Sequence, residues 1–272
     1  MVMMRFLSSA GDEPPGIRFV VLDPEVAAHW RLPPRVPLLA ADAAGAAETT
    51  PEAIVRGIRT LLLAQPSHPD AAAYLRFAQK TERGLWEAVA EARQRGDWRG
   101  LIRALELMTA IDPEDARALS DLALAYRRSA PSRGRRAGEF FRLAEATYRR
   151  AIALAPELAP AQTGLGGLLV ELDRPAEAVP FLEHSLKVRP DQPSASLYLG
   201  RAYGALGDDA RARDHLDAAV AAAPTDPRPH FYRSVALARL GETAAAAAAL
   251  ERAMALNPDV VQALLAAQQR EG

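Results

Sequence analysis

The sequence predicts an all-α fold, a solenoid of paired antiparallel helices behind a small irregular N-terminal extension, and three observations carry that reading. One set of residues recurs at a fixed interval: Ala178, Leu182, Ser185 and Pro190 return as Ala212, Leu216, Ala219 and Pro224, and again as Ala246, Leu250, Ala253 and Pro258. A second set lies upstream, where Leu119, Leu122, Ala123 and Tyr126 return as Gln162, Leu165, Gly166 and Leu169 and as Ser196, Leu199, Gly200 and Tyr203. Residues spaced three and four apart share one helix face, so every unit reads as two amphipathic helices, A and B. Glycine and proline then punctuate the pattern. Gly96, Gly207 and Gly241 stand where a left-handed cap would end helix A, and a proline follows helix B.

Taken in order, residues 1–50 differ in kind from the rest. Ile17 to Leu22 is a β-branched and aromatic run and Val36 to Ala40 a shorter one, with Pro24, Pro33 and Pro34 between them. We read a short hairpin here and a linker over 42–50. A lone hairpin is marginal in water, so it must pack on something. Residues 51–81 are expected to be helical, because Pro51 suits a helix start and Ile54, Ile58, Leu61 and Pro66 copy the B-helix spacing. A degenerate sixth repeat is compatible with this stretch.

Five repeats follow over 82–260, with bounds 82–115, 116–158, 159–192, 193–226 and 227–260. The second is longer, with extra residues between Tyr126 and Ala144, and Asp173 replaces the turn glycine of the third. Small residues such as Gly166, Gly200, Ala178 and Ala212 let the paired helices approach closely. Residues 261–272 place Val261, Leu264 and Leu265 on one side and polar groups on the other, the pattern of a helix that caps the last repeat.

These units resemble the tetratricopeptide-repeat (TPR) family, whose signature is a Trp-x-x-Leu-Gly-x-x-Tyr stretch, then Ala-x-x-x-Phe, then proline. Leu199, Gly200 and Tyr203 followed by Ala212, Leu216 and Pro224 form the best-matching copy, and in the last copy Arg233 and Ser234 depart from the leucine and glycine sites. The resemblance implies a right-handed superhelix of antiparallel helix pairs, with the A helices lining a concave surface. It also implies a scaffold or adaptor that binds a protein or peptide segment, not an enzyme.

Composition limits the alternatives. The chain of 272 residues is 49% hydrophobic, and its 33 basic and 34 acidic residues leave a net charge of −1, so no global field draws it to nucleic acid or anionic membrane. It has no cysteine, which removes disulfides and thiolate zinc sites and fits a cytoplasmic, and given its arginine and alanine bias bacterial, setting. No secretory segment or membrane span is expected. The five histidines match no metal-ligand spacing, and Gly164, Gly166 and Gly167 lie inside a predicted helix with no strand before them, so helix packing explains them better than a phosphate loop. We expect no catalytic residue, no metal and no cofactor.

Two binding surfaces remain as expectations. Along the concave face the A-helix columns bring Thr163, Leu197, Tyr198, Arg201, Arg228, Phe231 and Tyr232 toward a partner segment, aromatics offering anchors and arginines meeting an acidic group. The alternative is docking of an anionic partner on the Arg-rich insertion 127–142, through Arg133, Arg135 and Arg136. Only Phe140 and Phe141 interleave with these arginines, which argues against stacked nucleic acid. Self-association into a homo-oligomer is also compatible with such surfaces.

Overall fold

The computed structural model describes residues 5–6, 17–22, 24–39, 50–131 and 135–271. It divides into two compact units, residues 1–118 and 119–272. Helices dominate both, 13 of them among the described residues.

In the first unit three antiparallel strands, β1 (Arg5–Phe6), β2 (Ile17–Val21) and β3 (Arg35–Leu39), lie in the order β1-β2-β3. Val20 pairs with Val36, and β2 and β3 are joined through helix α1 (Pro24–Trp30), so their connection is longer than that of a simple hairpin. Val20, Val36 and Leu38 point inward against Ile54, Val55, Ile58 and Leu61 of α2 (Pro51–Ala64) and Tyr74 and Phe77 of α3 (Ala71–Arg95). The approach is close. Gly57 of α2 meets the backbone of Pro37 and Leu38, where any side chain would collide. The Tyr74 hydroxyl donates to the Arg35 carbonyl at 2.8 Å. Residues 17–39 therefore share one core with the helices rather than forming an appendage, because a sheet this small needs a helical face to bury its apolar side. The linker expected over 42–50 lies outside the described residues except for Thr50, whose hydroxyl caps α2 by accepting from the Ala53 N–H.

Helix α3 runs 25 residues without a break, so the expected boundary at 81 and 82 falls inside it. Nothing between Ala71 and Arg95 stops a helix; Gly84 costs only about 1 kcal/mol, and the chain turns first at Gly96, with φ of 66°. Helix α4 (Trp98–Ile111) then packs antiparallel on α3.

The second unit is a helical-repeat solenoid. It stacks α5 (Ala116–Ser129), α6 (Arg135–Leu154), α7 (Ala159–Glu171), α8 (Pro175–Val188), α9 (Pro193–Ala205), α10 (Asp209–Ala222), α11 (Pro227–Arg239), α12 (Thr243–Leu256) and α13 (Pro258–Glu271). From α7 onward each helix packs on the next, and A helices α7, α9, α11 and α13 also touch in succession. The turns carry positive φ at Gly207 and Gly241, both 80°, and Asp173 adopts the same conformation at 56°. Close A-to-B contact depends on missing side chains: a Cβ on Gly166 would sit 2.5 Å from Leu182 Cγ, and one on Gly200 2.5 Å from Leu216 Cγ. At the far end Val261 is fully buried against Phe231 and Ala253, with Leu264 beside it, whereas Leu265, expected on the same side, is exposed.

The extra residues of the long repeat mostly become helix. α6 has 20 residues where α8, α10 and α12 have 14, a projection of roughly 9 Å at 1.5 Å per residue. The stretch that reads as an Arg-rich loop consists mainly of the end of α5 and the start of α6.

Candidate functional site

The candidate surface is carried by the A helices of the second unit. Their turn-to-turn register places Tyr198 and Arg201 on α9 one turn apart, and Arg228 and Tyr232 one turn apart on α11. The Arg201 guanidinium lies between two rings, 5.8 Å from the centroid of Tyr198 and 4.8 Å from that of Tyr232. Arg201 has no carboxylate partner among the described residues. Arg228 by contrast is held by Asp226, its Nε 2.9 Å from Oδ1 and its Nη2 2.5 Å from Oδ2. Burial opposes ionisation of Asp226, and the hydrogen bonds from Arg228 outweigh it, so its carboxyl sits below the usual range.

Beside this stack opens a cavity of about 560 Å³. Gly204 and Ala205 of α9 line it together with Tyr232 and Val235 of α11 and Leu264 of α13. Arg201, Glu171, Asp173 and the Arg239–Asp209 pair, 3.5 Å apart, supply its polar edge. The lining thus combines an apolar wall with two guanidinium groups, Arg201 and Arg239, and three carboxylates, Glu171, Asp173 and Asp209.

The structure does not gather all the expected residues here. Leu197 is 4% exposed and Phe231 1%, both packed between helices, so neither is available as an anchor. Thr163 turns toward the B side, its hydroxyl 2.7 Å from Ser185 Oγ and 3.3 Å from Gln192 Oε1, inside a network in which Ser185 donates to the Ala159 carbonyl. A helix has one buried stripe but several flanks, and column position alone does not say which flank a neighbour covers. Tyr198, Arg201, Arg228 and Tyr232 remain on the groove side.

One residue of the region was assigned elsewhere by sequence. Arg127, near the end of α5, has a side chain only 8% exposed. Its Nε and Nη2 reach both Glu171 oxygens at 2.8 and 2.5 Å, and Nη2 donates to the Tyr198 hydroxyl at 2.6 Å. Burial would lower its pKa, and the hydrogen bond to Glu171 overrides that, so the group stays charged. The available signal was the glycine pair Gly164 and Gly167 on α7: a helix face without side chains is a place where large ones from neighbours lie across. A Cβ on Gly167 would be 2.7 Å from Tyr198 Cε2.

Arg133 lies outside the described residues, Arg135 is the first residue of α6, and Arg136 is exposed in its first turn. Among the described residues no three metal-ligating side chains converge, and no helix is long and apolar enough to cross a membrane.

Residues 169–231, from the end of α7 into α11, match the family model described as tetratricopeptide repeat. That matched segment is of tetratricopeptide-repeat type. Solved TPR-like structures agree in fold. MamA superposes with a TM-score of 0.52 at 18% identity, covering 68% of this chain and 96% of that one. MamA 41-end from Desulfovibrio magneticus RS-1 gives 0.54 at 18%, covering 65% and 96%. YrrB, described as a TPR protein with an unusual peptide-binding site, gives 0.50 at 17%, covering 79% and 99%. At these identities the likeness is one of fold. No curated protein matches the chain. The family match contains Tyr198, Arg201 and Arg228, whereas Tyr232, Val235 and Leu264 lie beyond its end.

Proposed function

We propose that this chain is a protein-interaction scaffold whose TPR groove holds a segment of a partner protein, an acidic side chain on Arg201 and an apolar anchor against Tyr232, Val235 and Leu264. The observation that carries this reading is Arg201, a guanidinium within cation–π distance of two tyrosine rings at the edge of the 560 Å³ cavity and with no ion-paired carboxylate among the described residues. An arginine restrained by contacts with two rings loses less entropy when its N–H edge meets a carboxylate. Arg228 adds positive charge nearby but is already paired with Asp226, so it contributes less. The reading is in keeping with the peptide-binding site for which YrrB is described.

The test uses dodecapeptides selected from a random display library on the full chain. Recovered peptides should share an Asp or Glu and an aliphatic or aromatic residue. Arg201→Ala should weaken a fluorescein-labelled selected peptide by roughly ten- to thirtyfold, the scale of a hot-spot side chain. Peptides without an acidic residue, or an unchanged Kd in Arg201→Ala, would sink the proposal.

A further inference from the structure

Repeats of a solenoid ordinarily touch only their neighbours. Arg127 breaks that rule. It stands on α5 in the repeat 116–158, binds Glu171 of the next repeat through two hydrogen bonds, and reaches the Tyr198 hydroxyl in the repeat after that, 71 residues along the chain. The path exists because α7 is stripped of side chains where the contact crosses it. Gly167 lies under the Tyr198 ring, Gly164 lies under the ring of Tyr148, and the Gly164 carbonyl accepts from Arg127 Nη1 at 3.4 Å.

From this geometry we infer that Arg127 is a positioning residue of the groove: it fixes the Tyr198 ring from behind, and through that ring the Arg201 guanidinium that faces a ligand. The inference rests on the groove reading given above. Arg127 itself is poorly placed to take a partner's carboxylate, since Glu171 already neutralises it and its side chain is buried. Its centre lies 5.1 Å from the Tyr198 centroid, and that of Arg201 lies 5.8 Å from the same ring. Two guanidinium groups thus share one tyrosine. The paired one is anchored by a fork of hydrogen bonds, and the unpaired one inherits the orientation of the ring. A tyrosine freed from Arg127 would regain rotamer freedom, and Arg201 would lose a wall of its cage.

The discriminating variants are Tyr198→Phe, which removes only the hydroxyl and keeps the ring on Gly167, and Arg127→Met, which keeps the length of the side chain. Arg127→Lys tests whether charge alone suffices. Two readouts are compared at a temperature where circular dichroism shows each variant fully folded: the order of the Arg201 Nε–Hε group by 15N relaxation, and the Kd of the labelled library peptide. We expect Arg201 to become more mobile in all three variants. Tyr198→Phe and Arg127→Met should each weaken the peptide about five- to tenfold, the scale of the net contribution of one hydrogen bond, and the double variant no more than either alone. Unchanged Arg201 order in Tyr198→Phe overturns the inference, and so do losses that multiply in the double variant. If Arg127→Met fails to fold, Tyr198→Phe still decides. The relaxation measurement needs no ligand, so a wild-type chain that binds no library peptide refutes the groove reading while Arg201 order continues to judge Arg127.

Discussion

Replacing Gly164 by alanine puts a methyl group where the ring of Tyr148 now lies, while replacing Gly138 by alanine puts one where nothing stands within 4 Å. Both glycines are inside helices, α7 and α6, so both substitutions gain about 0.5–1 kcal/mol from helix propensity. Only Gly164→Ala also overpacks. Tyr148 is 1% exposed and its ring has no open space to enter, so the cost belongs to the range of about 1–3 kcal/mol for extra atoms in a tight core. Net, Gly164→Ala should destabilise by about 1–2 kcal/mol and Gly138→Ala should stabilise by about 0.5–1. With roughly 2–4 °C per kcal/mol for a unit of this size, the two variants should separate by roughly 3–12 °C in Tm, on opposite sides of wild type. Thermal and urea unfolding of the full chain, followed by far-ultraviolet circular dichroism, measures both. A Gly164→Ala chain that melts above wild type, as Gly138→Ala should, would mean that α6 and α7 do not pack through that glycine, and the account of the glycine-floored crossing beneath Arg127 and Tyr198 would fall with it.

Asp173 holds the left-handed turn that glycine fills at Gly207 and Gly241, so Asp173→Gly should stabilise by about 0.5–1 kcal/mol, read as a rise in the urea midpoint; a fall would show that its carboxylate makes a compensating contact. His215 stacks on Tyr203 at 5.5 Å, and burial pushes its pKa below 6.5, opposed by Glu183 and Asp214 and aided by Arg211. Between its folded value and 6.5 the unfolded chain binds more protons than the native one, so stability should fall as pH drops through that window. His215→Phe keeps the stack and should flatten this region of the Tm against pH profile; an unchanged profile would refute the assignment.

Much of the solenoid was legible because each repeat is specified by short-range spacing. Ala178, Leu182 and Ser185 are buried where their period of three and four puts them, as are Ala212, Leu216 and Ala219. The glycine turns were equally local, since a positive φ is a property of the residue that adopts it. Less of the groove could be read. Tyr198, Arg201, Arg228 and Tyr232 are partly exposed, whereas Leu197 and Phe231 share their helices but are covered by neighbours. Burial of a given flank depends on how far the next helix is shifted, a quantity that side-chain volume on both helices sets together.

The sequence by itself determined that the chain is a stack of helix pairs and which face of each helix is apolar, because a hydrophobic period of 3.6 can be satisfied in only one way. Only the tertiary structure decided that residues 17–39 belong to the core around Ile54 and Tyr74, since strands and helices bury one another without any shared period to announce it. The same is true of Arg127. Six arginines look alike between 127 and 142, and the one that matters to the groove is distinguished by Glu171 and Tyr198, partners 44 and 71 residues away. Charge in sequence counts groups; what a charge does depends on the water it loses and the partner it meets, and both are fixed only when distant helices close around it.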